Sequence, residues 1–343
     1  MDLNTVWFGL LGVLFIAYAV LDGFDLGVGI ILPAFKSDEE RRLALNSIGP
    51  FWDGNEVWLL TAGGALFAAF PHVYAGVFSG LYTALILLLG GLIFRAVSLE
   101  VRSKCDGVRW RKIWDLVFSV CSCLIALLLG VAVGNLVTGM PVDAAGNIDA
   151  GMFGLLNLLE PIPLFSGILA VALFALHGAL FLRMKNGELL RIKIHLLLPK
   201  LYAFAAIFYI ALTCLVIFKR NPPLAGTFNF DEFEALGIIP VLSMLALVAV
   251  GIFIRSRTFK LAFAGTCATI VLLIATVGVG MFPNLVSASN GDEFSLTIYD
   301  SASFKTQLTM LIIVIIGVPF VAVYHVVVYR IFRKHTELDE HSY

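Results

Sequence analysis

Trp52-Asp53-Gly54-Asn55-Glu56-Val57-Trp58 opens an apolar run near 54–70, and Asp22 and Asp25 lie inside an earlier run near 7–31. Acidic groups inside apolar stretches of this length decide how the chain is read. An ionised carboxylate near a bilayer centre costs several kcal/mol and is seldom kept without a task.

Composition points the same way. Of 343 residues, 60% are hydrophobic and only 14% are charged, against roughly 25% charged in a soluble domain. The mean hydropathy is +0.95. Runs long enough to cross about 30 Å of hydrocarbon fall near 7–31, 54–70, 74–94, 113–137, 161–182, 196–218, 236–254, 259–282 and 308–329. The pattern predicts an all-α integral membrane protein with nine transmembrane helices, of which 54–70 is the shortest. Met1-Asp2-Leu3-Asn4-Thr5 lacks a basic start and the first apolar run is too long for a signal core, so no cleavable signal is expected.

Positive charge sets the orientation. Of the 23 Lys and Arg, all but Lys200, Lys219, Arg220 and Lys305 follow odd-numbered helices, in groups that include Lys36, Arg41 and Arg42, then Arg95, Arg102 and Lys104, then Arg330, Arg333 and Lys334. The N-terminus is therefore expected outside and the C-terminus in the cytoplasm. The net charge of −1 adds nothing, and no nucleic-acid partner is needed to explain the basic loops.

A faint internal repeat divides the chain. Gly130-Val131-Ala132-Val133-Gly134-Asn135-Leu136-Val137-Thr138 ends the fourth run and Gly278-Val279-Gly280-Met281-Phe282-Pro283-Asn284-Leu285-Val286-Ser287 ends the eighth. Two four-helix units in parallel orientation, 1–140 and 141–306, are expected, followed by a ninth helix and tail over 307–343. Parallel repeats of this sort occur in transporters.

Entering from outside near Trp7, the first helix carries Asp22 about 22 Å down, close to the midplane, with Asp25 one turn nearer the cytoplasm. Spacing of three puts both on one face. Two carboxylates that close in a low dielectric do not both ionise cheaply, so at least one is expected to carry a proton that it can hand on. Asp53 and Glu56 repeat the spacing at the cytoplasmic start of the second helix, after Pro50. Capping and the helix dipole explain acidic residues there equally well. The setting of Asp53 among Trp52, Gly54, Asn55 and Trp58 is odd for a simple cap, and it lies on the side from which protons would enter toward Asp25.

Histidine and cysteine bear on the other classes. Cys105, Cys121, Cys123, Cys214 and Cys267 show no metal-site spacing. A b-type haem would need histidines at matching depth, and only His177 and His325 meet that condition. His72, His195, His335 and His341 lie at turns, at an interface or in the tail. No phosphate-binding loop, dinucleotide fingerprint, zinc-protease motif or nucleophile elbow occurs in a credible context.

Tyr18-Ala19-Val20-Leu21-Asp22-Gly23-Phe24-Asp25-Leu26-Gly27-Val28-Gly29, with Arg41-Arg42 and the run from Asn46-Ser47-Ile48-Gly49-Pro50-Phe51 through Trp58 to Phe70-Pro71, resembles subunit II of cytochrome bd quinol oxidase. The likeness continues through Phe94-Arg95, Arg102-Ser103-Lys104 and Arg109-Trp110-Arg111, and more thinly through Met281-Phe282-Pro283 and Ser295–Asp300. It implies a multi-pass subunit of the bacterial cytoplasmic (inner) membrane that binds no haem itself. Its partner, subunit I, would hold two b-type haems, haem d and the quinol site. A bound quinone or lipid in this chain, and small single-helix subunits beside it, are further candidates. The resemblance also implies a cytoplasmic proton path at Asp53 and Asp25 and, as in some members, an oxygen route opening near Trp58; Asp22 and Glu56 are candidate proton-transfer residues by their spacing from Asp25 and Asp53. No catalytic residue or metal ligand is expected in this chain. Phe51 and Glu56 depart from the family, in which other members can carry His and Gln.

Two other classes stay open on the residues alone. A proton-coupled membrane transporter would use the Asp22/Asp25 pair as its coupling site, and a stand-alone b-type cytochrome would use His177 and His325.

Overall fold

The computed structural model describes residues 2–148, 154–219, 237–336 and 338. Arg220, His341 and residue 236 lie outside the described residues. Eleven α-helices follow in chain order among them: α1 Leu3–Ile31, α2 Asp38–Ile48, α3 Trp52–Ala69, α4 Pro71–Gly80, α5 Tyr82–Arg102, α6 Val108–Thr138, α7 Pro161–Lys185, α8 Glu188–Lys219, α9 Ile238–Arg255, α10 Phe259–Met281 and α11 Phe304–Ile331. Eight of the described segments are long and apolar enough to cross a membrane: α1 with the turn after it, α5, α6, α7, α8 up to Phe218, and α9 to α11. The remaining predicted span is α3, whose 18 residues reach about 27 Å at 1.5 Å each but begin with Asp53, Asn55 and Glu56.

Two elements differ from the sequence pattern. The third apolar run, read as one helix over 74–94, is two: α4 ends at Leu81 (φ −97°, ψ 19°) and α5 continues to Arg102. The basic stretch before the second run holds the short amphipathic helix α2, whose start is fixed by a capping box. Ser37 Oγ accepts from the Glu40 N–H at 3.2 Å, and Glu40 Oε2 accepts from Ser37 N–H at 3.2 Å and Lys36 N–H at 2.9 Å. Such reciprocal caps satisfy donors that a helix start otherwise leaves unpaired. Lys193 of α8 closes on the other oxygen of Glu40 at 2.5 Å, so α2 is tied to the end of the bundle where α7 passes into α8.

At the far end, strands β1 (Asn284–Val286) and β2 (Leu296–Thr297) form a small antiparallel hairpin. Met140 joins it, its N–H donating to Ser287 O and its carbonyl accepting from Ser289 N–H, both at 2.9 Å. The two asparagines of the repeat thus have different surroundings: Asn135 sits inside α6 and donates to the Leu158 carbonyl at 2.9 Å, whereas Asn284 begins β1.

The acidic part of α1 is positioned by its contact with α7. A Cβ at Gly27 would meet the Phe174 carbonyl oxygen, and one at Gly178 would lie 2.5 Å from the Gly27 carbonyl carbon. Only glycine at both places lets the backbones touch, as small residues do in membrane helix pairs. Around this contact Phe24, Phe51, Phe181, Leu173 and Leu176 are buried in one apolar cluster.

Candidate functional site

Asp22 does not stand beside Asp25 as one of two free acids. Arg95 of α5 holds it, Nη2 to Oδ1 at 2.7 Å and Nη1 to Oδ2 at 3.1 Å, and both side chains are 0% exposed. The charge pattern puts Arg95 in a cytoplasmic loop; it is instead inside α5, because that helix runs two turns beyond residue 94. Arg102, at the end of α5, is also buried, pairing with Asp115 of α6 and Asp38 of α2, each at 2.6 Å. These two arginines are structural counter-ions and not loop charges.

Glu56 reaches the same guanidinium from α3, its Oε2 lying 3.6 Å from Arg95 Nη1. Asp25 is fully buried and takes a different partner: Asn55 Nδ2 donates to Oδ2 at 2.7 Å, while Oδ1 meets no donor among the described residues. Asn55 also donates to the Leu21 carbonyl at 3.1 Å and accepts from the Tyr329 hydroxyl of α11 at 3.2 Å. The result is a cluster of three carboxyls, Asp22, Asp25 and Glu56, around one guanidinium. A low-dielectric interior resists uncompensated charge, and three carboxyls exceed what this single guanidinium compensates.

Asp53 stands apart. It is exposed on the first turn of α3, three residues before Glu56 and therefore on the same helix face. No direct hydrogen bond links it to Asp25 among the described residues. Trp58, half-buried two turns into α3, donates its indole N–H to His325 Nε2 at 3.2 Å.

The histidines can be tested as haem ligands on their hydrogen bonds. The Val20 carbonyl near His177 Nε2 (3.1 Å) can only accept, so Nε2 carries the hydrogen, and Nδ1 lies 2.7 Å from Thr266 Oγ1. By the same reasoning His325 Nδ1 donates to the Val321 carbonyl at 2.9 Å and Nε2 receives the Trp58 N–H. Both nitrogens of both rings are engaged within the chain, and neither ring fits an iron without losing a bond it now makes. Among the described residues, no three His, Cys, Asp or Glu side chains group to hold a metal ion.

Three contributors escaped the sequence reading: Arg95 as partner of Asp22, Asn55 as partner of Asp25, and Tyr329 behind Asn55. For Arg95 a signal existed, since Ile93, Phe94, Ala96 and Val97 flank it without another charge, which suits a buried cation. Tyr329 carries no such mark.

A bundle of membrane-length helices that encloses a carboxyl–guanidinium cluster is that of a multi-pass membrane protein with charged groups kept inside the bilayer, where they are costly. The comparisons are specific: the chain belongs to the cytochrome bd terminal oxidase subunit II family, whose model matches residues 3–332. It is 35% identical over 371 positions to the cytochrome bd-I ubiquinol oxidase subunit 2 of Escherichia coli (strain K12), covering 99% of this chain and 98% of that one. Against the cytochrome bd ubiquinol oxidase subunit 2 of Bacillus subtilis (strain 168) it is 32% identical over 345 positions, covering 99% and 98%. A chain of the solved bd oxidase from Geobacillus thermodenitrificans has a TM-score of 0.78 over 97% of this chain and 99% of that chain, at 17% identity, so that likeness speaks for a shared fold. The chain is accordingly a multi-pass subunit of a respiratory oxidase, in a family whose complexes carry haem, and membership implies a partner subunit I. That sets aside the transporter and the stand-alone cytochrome.

Proposed function

We propose that this chain is the haem-free subunit II of a cytochrome bd-type quinol:oxygen oxidoreductase of the bacterial cytoplasmic membrane, forming a heterodimer with the haem-bearing subunit I and helping to deliver cytoplasmic protons for reduction of oxygen to water. The observation that carries it is the buried Asp22–Arg95 pair with Glu56 at its edge and the buried Asp25 beside it, in a chain of this family. The haems and quinol belong to the partner in this reading, which the occupied nitrogens of His177 and His325 support.

Oxygen reduction consumes protons, and drawing them from the cytoplasm while quinol releases its own outside builds a gradient without a pump. A water-poor path needs titratable stations within reach of one another or of ordered water. Asp53 is exposed and serves as the mouth. Glu56, one turn further along the same face, borders Arg95, and Asp25, fully buried beside Asn55, is the other station. Arg95 is committed to Asp22 as its counter-ion, which leaves Glu56 and Asp25 as the groups that load and unload. Trp58 keeps its place at the opening of an oxygen route.

Purification of the tagged chain from its native membrane tests the assembly. It should bring down one larger partner with haem b and haem d absorption, across an interface of more than about 2,000 Å², the range of obligate pairs. A stable, functional monomer overturns the reading.

A further inference from the structure

Asn55 is fully buried, and both ends of its amide are committed. The Leu21 carbonyl, 3.1 Å away, can only accept, so the nitrogen must face it and the Asp25 Oδ2 at 2.7 Å, and the oxygen must face the Tyr329 hydroxyl at 3.2 Å. The amide cannot flip without setting its oxygen against two acceptors. Tyr329 is itself fixed, its ring stacked on Phe51 with centroids 4.5 Å apart.

We infer that Asn55 is a positioning residue that commits Oδ2 of Asp25 and makes Oδ1 the atom at which this acid takes up and releases its proton, with Tyr329 holding Asn55 in place from α11. A proton on Oδ2 would put O–H against N–H. A proton on Oδ1, the oxygen with no donor among the described residues, turns Oδ2 into a carbonyl oxygen that still accepts from Asn55. Loss of that proton restores the carboxylate with the same bond in place. Neither step breaks the contact, so the acid cycles without turning its side chain. Tyr329 does not donate to Asp25 and acts only through Asn55. The inference rests on the proton-delivery reading above.

The test uses the intact complex and three variants, Asp25→Asn, Asn55→Leu and Tyr329→Phe, followed by turnover and by redox-induced infrared difference spectra. Asp25→Asn identifies the carboxyl C=O band of this residue by its disappearance. In Asn55→Leu that carbonyl loses its hydrogen bond, so the band should move to higher frequency, kcat should fall roughly tenfold, the low end of what a positioned acid–base group contributes, and the quinol KM should stay within about twofold. Tyr329→Phe should give a smaller change of the same kind. Normal turnover in Asp25→Asn, or no carboxyl band lost there, overturns the proton-delivery reading and this inference with it. An impaired Asp25→Asn beside an Asn55→Leu variant with unmoved band and normal kcat overturns this inference alone. Should Asn55→Leu fail to assemble, Tyr329→Phe decides: a shifted band with unchanged KM supports the role, and an unshifted band with normal turnover overturns it.

Discussion

Arg95 grips Asp22 through both terminal nitrogens, at 2.7 and 3.1 Å, and neither side chain reaches solvent. Forked guanidinium–carboxylate contacts are among the strongest hydrogen-bonded pairs, and they fix geometry as well as charge. Here the pair fixes α5 against α1 directly behind the acids proposed to move protons.

Removing one member should therefore be severe. Arg95→Leu strands Asp22 as a buried charge, an event that costs about 3–5 kcal/mol, and should lower the melting temperature and haem content of the complex together. Asp22→Leu/Arg95→Leu should melt closer to wild type than either single variant. Equal damage in the single and double variants would show that the pair contributes little as a pair.

Asp53→Asn keeps size and hydrogen bonding but cannot release a proton. Turnover should fall at least about tenfold, with haem content and quinol affinity near wild type, and Asp53→Glu should recover part of the loss. Full assembly with normal turnover would make Asp53 a helix cap, and the proton route would then belong to subunit I. Loss of both haem and quinol affinity would make it a residue that only holds the helix end against its partner.

The α2 clasp should respond to acid. Partial burial works against the charge of Asp38, but hydrogen bonds and attraction from Arg102 and Arg111 outweigh it and hold the carboxyl below its ordinary 3.8. A carboxyl depressed by folding stabilises above its unfolded value and ceases to do so as pH falls through its folded one. Wild type should melt above Asp38→Asn at neutral pH, and the gap should close only below pH 3.8. Thermal melts of the purified complex at several pH values check this; a gap that persists unchanged into acid rules out an ionic contribution from Asp38.

Because the ring nitrogens of His177 and His325 are engaged inside the chain, His177→Gln and His325→Gln should leave the haem b and haem d absorption of the complex in place. Disappearance of one haem signal in a variant that still assembles would identify an iron ligand and sink the haem-free assignment.

The first helix, with Asp22 and Asp25 facing one way, was legible because a long apolar run with two acids has few other meanings. Arg95 was not, since hydropathy ends a span at the first charge, and only the partner on α1 reveals that α5 continues beneath it. The division of 71–102 at Leu81 escaped for a related reason: no proline marks it, and the short α4 is set by packing against the far-end loops, where a Cβ on Gly76 would lie 2.6 Å from the Gly146 carbonyl oxygen. Asn55 stood out as an odd companion to Asp53. Its partner, Asp25, is on another helix, and pairings of that kind are written in three dimensions only.

The glycine contact between α1 and α7 has a mechanical corollary. Gly27 and Gly178 leave no side chain between the two backbones, so the helix that bears Asp22 and Asp25 has no room to slide or settle against its neighbour. On the other flank, α11 buries only Gln307 and His325 and meets α3 through Trp58 to His325 and Tyr329 to Asn55. The pair α1 and α7 is the stator, against which Asn55 of α3 and Tyr329 of α11 hold the acid in register.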